Sequence, residues 1–216
     1  MAQRTVEDRL REEYFILLPE ARRVLEELET EVRHCLLPLS SKLNRYERIE
    51  VTSRIKDCES ALGGLRRRQE AATFDPNRAD SYTLTDLNDL AGVRVLAFPR
   101  SRWIEAHGCL RQCFSSWTSD PIREDEDDMT REPLAFKYYG YCSASTTFHA
   151  ELQVVPMLIG LFWEIEHSAI YKPSPELKGV AASLEMKERR REVYQALKGF
   201  ETEFERLVQR DPLKKP

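Results

Sequence analysis

Only five of the 216 residues are cysteine, an odd number scattered as Cys35, Cys58, Cys109, Cys113 and Cys142. That count excludes a disulfide framework and fits a reducing compartment. Cys109 and Cys113, four apart with His107 nearby, resemble half of a metal site, and no second pair completes it. No run of about 18 apolar residues occurs, so no membrane span is expected. Met1 to Glu12 mixes both signs of charge, which excludes a basic-then-apolar leader. Basic excess is missing as well. Thirty-three Lys and Arg against 37 Asp and Glu give a net charge of −4 and a pI near 5.7, so any polyanion contact must come from local clusters. A soluble cytoplasmic protein follows as the expectation. Its 25.2 kDa suit one domain with helical additions and leave too little chain for two full domains.

What is there centres on Thr83 to Phe98, TLTDLNDLAGVRVLAF. Leu84, Leu87 and Leu90 predict one or two helical turns, and Val93, Val95 and Leu96 predict a buried strand. Asp89 falls at the junction, with Arg94 five residues on. It is placed either to hold a divalent cation over a phosphate chain or to cap the turn. A second acid, Glu151, lies on an alternating stretch, and Gln153 two residues later shares its face. Two acids on neighbouring strands would make a metal and general-base site. Tyr46 to Lys56 also alternates as a strand, ending on Arg54 and Lys56, and Asp57 starts a helix to Glu70. Two cations followed by a helix N-terminus form a socket for a triphosphate. One of Arg66, Arg67 and Arg68 would reach the same phosphates, or all three form a solvated helix end. Phe136 to Ser143, FKYYGYCS, sets aromatic rings around Gly140. This suits stacking of a nucleobase, with Lys137 free for a phosphate, and equally suits an ordinary strand.

DLAGVR, ELQ and IEHSAIYK, the last shortly after Trp163, resemble the blocks of the RelA/SpoT synthetase domain, in its small single-domain form. The resemblance covers about residues 46–172 and implies a nucleotidyltransferase-like α+β fold, a small mixed β-sheet flanked by helices. It implies transfer of pyrophosphate from ATP to the 3′-hydroxyl of a guanine nucleotide (GTP or GDP), with Mg²⁺ as cofactor. Arg54, Lys56, Ser60 and Arg94 would bind ATP. Asp89 and Glu151 would be the catalytic and metal-binding acids. Lys137, Tyr141 and Gln153 would bind the acceptor, with Tyr141 stacked on its base. The chain departs from the family at several points. Gly63 and Gly64 occupy the region of a later lysine. Cys142 and Ser145 stand where the acceptor block has arginine and histidine. Pro156 and its neighbours lack the Arg-Thr that follows ELQ, and Gly160 or Leu161 replaces an asparagine. A neutral thiol cannot replace a forked cation. The donor side is thus more complete than the acceptor side. The departures imply another acceptor, ATP or ADP or a tRNA 3′ end, or a weakly active nucleotide-binding regulator. A transferase passing AMP instead of pyrophosphate is a third reading.

The remaining expectations are structural. Residues 1–45 would be helices, with Leu10, Phe15, Leu17 and Leu18 on one stripe and Pro19 opening a second helix. Arg100 to Trp117 would be an amphipathic helix turning Trp103, Ile104, His107, Cys109, Leu110 and Cys113 to the sheet. Arg123 to Pro133 reads as an acidic loop. Met157 to Tyr171 is apolar nearly all round and must be buried, with His167 supporting the site and Lys172 near a phosphate. Residues 173–216 would add a long charged helix from Glu176 to Leu207 and a tail, covering the sheet or joining a homo-oligomer; an antitoxin partner is also compatible. Neither a hydrolase region with His-Asp pairs nor a regulatory extension is expected.

Overall fold

The computed structural model describes residues 5–70, 81–123, 133–166 and 183–210. In chain order they form α1 (Val6–Ser40), β1 (Arg48–Ile55), α2 (Cys58–Glu70), a single 3₁₀ turn (Leu84–Asp86), β2 (Ala91–Phe98), α3 (Arg100–Cys113), β3 (Thr118–Ile122), β4 (Ala135–Gly140), β5 (Ala150–Pro156), α4 (Met157–Glu166) and α5 (Leu184–Arg210). The strands make one mixed sheet in the order β1-β2-β5-β4-β3, in which only the β2–β5 pair is parallel. The expected α+β class with a small mixed sheet is what the chain adopts.

The period-two alternation divides the sheet into a dry back and a mixed front. Val51, Val93, Val95, Leu152, Val154 and Tyr138 point to the back, into the main core beneath α1 and α3. α1 starts at a reciprocal cap: the Asp8 N–H donates to Thr5 Oγ1 and the Thr5 N–H to Asp8 Oδ2, each 3.1 Å. Its buried stripe, from Leu10 and Tyr14 through Ala21, Val24 and Leu28 to Leu39, keeps helical spacing on both sides of Pro19. One unbroken helix of 35 residues therefore replaces the two expected. Pro19 lies on the exposed side, where water serves the carbonyl its missing N–H leaves free. Phe15, expected in the stripe, is 64% exposed. In α3, Trp103 and Leu110 are buried and the Trp103 Nε1–H donates to the Val154 carbonyl at 3.0 Å, whereas Ile104 faces outward. His107 packs flat on Phe136, with ring centroids 3.6 Å apart, and its Nδ1 lies 2.7 Å from the Tyr138 hydroxyl. It is a back-face packing residue whose pKa burial pushes down.

Cys35 of α1 and Cys113 of α3 are joined in a disulfide, with Cα atoms 6.5 Å apart. This corrects the expectation of five reduced thiols: the partners are 78 residues apart in sequence, and only the packing of both helices on one sheet face brings them together. Among the described residues no helix is long and apolar enough to cross a membrane.

On the front, a second core of Leu96, Ala135, Val155, Ile159 and Tyr194 covers one end of the sheet beneath α4 and α5. α4 comes close to the sheet at Gly160, where a Cβ would run into Leu96 Cδ2. The buried side of α5 carries Tyr194, Glu201 and Phe204, which packs on Phe98 with centroids 5.1 Å apart, while Phe200 faces outward. The uncovered remainder of the front is where the polar residues collect.

Candidate functional site

The strand register lays out this face. Arg54, Gly92, Glu151 and Tyr139 lie in one row across β1, β2, β5 and β4, and Thr52, Arg94, Gln153 and Lys137 form the next. Lys56 extends the β1–β2 ladder, its N–H donating to the Leu90 carbonyl at 2.9 Å, which sets its side chain beside Asp89. Asp57 caps α2 by accepting from the Ser60 N–H at 2.9 Å, so the helix N-terminus opens onto the same place.

These elements enclose a cleft of about 1000 Å³. Eight of the nine candidate residues line it: Arg54, Lys56, Ser60, Asp89, Arg94, Lys137, Glu151 and Gln153. Tyr141 does not. It lines a separate hollow of about 490 Å³ with Ser143, Ala144, Thr146 and Thr147. Gly140, read as room for a nucleobase, is already occupied: a Cβ there would collide with the Trp117 ring, so the indole lies against the strand backbone.

The charges in the cleft are interlocked. Lys56 Nζ pairs with Asp89 Oδ2, while Asp89 Oδ1 is buried without a hydrogen-bond partner. Glu151 is 7% exposed; its Oε1 accepts from the Gln153 amide, and its Oε2 lies 4.0 Å from Lys137 Nζ. Burial above all, and then the Asp89 charge, push the Glu151 pKa upward against Lys137, Gln153 and Arg54, which pull it down. The two carboxylates therefore face one space and sense each other. Arg94 donates through Nε to Gln153 Oε1 at 2.9 Å, with Nη1 3.8 Å from Glu164 Oε1. Burial and the nearby Arg54 lower its pKa, without discharging a guanidinium.

The arginine run separates by direction. Arg66 pairs with Glu7, Arg68 donates to the Asp86 carbonyl at 2.7 Å, and Arg67 alone of the three lines the cleft. Gly64 leaves space for Lys56, whose Nζ would lie 3.3 Å from a Cβ at that position. The far wall was missed in the sequence. There Glu166 is held by Arg190 and by the Tyr194 hydroxyl, which donates to Oε2 at 2.5 Å and accepts from Trp163 Nε1–H at 2.9 Å. No local pattern pairs Glu166 with Arg190 and Tyr194, 24 and 28 residues later. Tyr139 was passed over too, although strand periodicity aligns it with Lys137. His167 and Lys172 lie outside the described residues.

No protein-family model matches the chain, and no curated protein sequence does. Solved structures do match. A GTP pyrophosphokinase family protein from Streptococcus pneumoniae aligns with TM-score 0.62 and 20% identity, over 91% of this chain and 93% of that one. The small alarmone synthetase 1 from Bacillus subtilis bound to its product pppGpp aligns with TM-score 0.60 and 18% identity, over 89% and 94%. The same synthetase bound to AMPCPP gives 0.56 and 19%, over 91% and 97%. The chain has the small alarmone synthetase fold. Within that fold the stretch expected to form an acceptor block does not reach the cleft at Tyr141 or Cys142. Cys142 is turned toward α1, its Sγ 3.9 Å from the Val24 carbonyl, and burial pushes its thiol up to about 11. It supplies neither a cation nor a thiolate to a ligand.

Proposed function

We propose that this protein transfers the β,γ-pyrophosphate of ATP to a hydroxyl of a nucleotide acceptor and releases AMP. The observation that carries this reading is the meeting of Asp89 and Glu151 in a cleft lined by Arg54, Lys56, Arg67, Arg94 and Lys137. Two mutually repelling acids ringed by cations suit a metal–triphosphate complex better than they suit stability. The fold of proteins that bind pppGpp and AMPCPP supports the same reading.

The donor set fits Mg²⁺, which is commonly held by one or two carboxylates together with substrate phosphates. Asp89, through its unpartnered Oδ1, and Glu151 would hold it; no cluster of three or more ligating side chains occurs among the described residues. When bound, the ion supplies neutralisation of phosphate charge. Arg54, Lys56, Ser60, Arg67 and Arg94 bind the ATP phosphates and base. Lys137 and Gln153 face the acceptor side and orient Glu151, which shares the cation or takes the proton of the attacking hydroxyl. The acceptor oxygen forms a bond to the β phosphorus, the bond to the α–β bridging oxygen breaks, and AMP leaves. Positioning and charge neutralisation supply most of the rate in such chemistry.

The first acceptor to test is the 3′-hydroxyl of GTP or GDP. The course of Cys142 favours a second reading, in which the acceptor is an adenine nucleotide or an RNA 3′ end. The purified protein, with ATP and Mg²⁺, is offered GDP, GTP, ATP and deacylated tRNA in turn, alongside Asp89→Asn and Glu151→Gln. AMP formed with one acceptor and lost in both variants supports the proposal. AMP from none favours a nucleotide-binding regulator, and normal turnover by both variants rejects the site.

A further inference from the structure

We infer that Tyr14 and Glu13 of α1 are positioning residues for the triphosphate end of the donor site, acting through the backbone beside Lys56 and Asp89. This rests on the pyrophosphate-transfer reading and adds α1, which no motif marks. Tyr14 is 8% exposed, and its hydroxyl donates to the Lys56 carbonyl at 3.0 Å. That carbonyl belongs to the peptide unit joining Lys56 to Asp57, the cap of α2. A planar peptide moves as one piece, so this bond sets both the exit of the lysine side chain and the helix N-terminus. The Lys56 N–H is held from the other side, by the Leu90 carbonyl at 2.9 Å. Glu13 accepts at 2.8 Å from the N–H of Leu84, the first of the 3₁₀ turn, which has no partner within that turn. Arg9, one turn back on α1, donates to the Tyr82 carbonyl at 2.6 Å and lies 3.5 Å from Glu13.

α1 therefore grips the two segments, 56–57 and 82–84, that lead to the Lys56–Asp89 pair. Leu84, Leu87 and Leu90 are buried and fix how deep the second segment sits. Apolar burial has no direction, whereas a hydrogen bond has a preferred angle, so the polar contacts from α1 set the rotation of that backbone. A rotation at Leu84 is carried to Asp89 five residues on, and its buried Oδ1 then meets a metal–triphosphate at the wrong angle. In catalysis a misplacement of about 1 Å costs about a hundredfold. Stability alone does not call for the hydroxyl, since a phenylalanine ring at position 14 would fill the same volume.

The test is calorimetric titration of the full chain, without turnover, with two ligands. One is an ATP analogue carrying a methylene between the α and β phosphorus, with Mg²⁺; the other is AMP, which lacks the β and γ phosphates. Tyr14→Phe removes only the hydroxyl, and Glu13→Ala removes the acceptor. Each is expected to raise the dissociation constant of the Mg²⁺–analogue by about tenfold and to leave that of AMP within about twofold. Glu13→Gln keeps an oxygen for the Leu84 N–H and should stay within about threefold of the wild type for both ligands. Thermal unfolding checks each variant, and if one does not fold, the other position decides. A merely loosened fold would weaken both ligands in proportion, and that result overturns the inference. So does wild-type affinity in folded Tyr14→Phe or Glu13→Ala, or a loss in Glu13→Gln as large as in Glu13→Ala. These outcomes leave the donor-site reading standing. If the wild type does not bind each of the two ligands, that reading falls and the inference with it.

Discussion

Glu151→Gln should move stability and activity in opposite directions. Glu151 is 7% exposed and burial is the largest cause of its raised pKa, with Asp89 adding to the rise. A carboxyl whose folded pKa lies above its unfolded one contributes stability below the unfolded pKa, and loses it as pH rises through the folded pKa. Above its folded pKa the ionised side chain therefore weakens the fold. Glutamine keeps the shape and can still bond Gln153, so the variant should be more stable by about 1 kcal/mol, or about 2–4 °C in Tm for a chain of this size. Activity should fall, since losing one charge-stabilising contact in a dry site costs about 10²–10³ in kcat, or about 3–4 kcal/mol. Thermal unfolding without ligands gives the first quantity and AMP formation the second. Mg²⁺ at a hundredfold over its Kd should stabilise the wild type by about 2.7 kcal/mol and the variant much less. A variant that unfolds several degrees earlier, or turns over like the wild type, refutes the reasoning.

Glu201 is 1% exposed and its pKa is pushed up to about 7, mainly by burial and further by Glu205, against Arg100. The folded state binds the extra proton, so stability should fall as pH rises from about 4.5 to about 7, by up to about 3 kcal/mol, and Glu201→Gln should flatten that slope in urea titrations. Arg67→Ala should raise the KM for ATP severalfold while Arg66→Ala leaves it unchanged, because only Arg67 lines the cleft; equal effects would mean a diffuse field. Gly140→Ala should cost about 1–3 kcal/mol by displacing Trp117, seen as a lower urea midpoint with reduced tryptophan burial.

Local chemistry made much of this legible. The alternation of Tyr46 to Lys56 and the β-branched run at Val93 to Val95 gave β1 and β2 their places within two or three residues. Asp57 marked the start of α2 because its side chain is the cap. Periodicity put Glu151 and Gln153 on one face, but that β5 lies parallel beside β2, and so brings Glu151 to Asp89, is a pairing over some sixty residues that no local pattern encodes. The family resemblance supplied it. β3, Thr118–Ile122, was invisible because TSDPI holds a proline that only an edge strand tolerates. The disulfide and the Arg190–Glu166–Tyr194 wall were hidden for the same reason as the β2–β5 pairing. Tyr141 and Tyr139 share a strand parity. The ladder ends at Gly140, which leaves Tyr139 beside Glu151 and sends Tyr141 to the neighbouring hollow.

The most direct test is to follow, by phosphorus NMR, the fate of ATP incubated with the protein, Mg²⁺ and the acceptor that supports turnover. The account predicts AMP together with an acceptor carrying a new diphosphate ester, and neither product when Asp89 is replaced by asparagine. Free pyrophosphate with an adenylated acceptor, or ADP, or AMP still formed by Asp89→Asn at the wild-type rate, would contradict it.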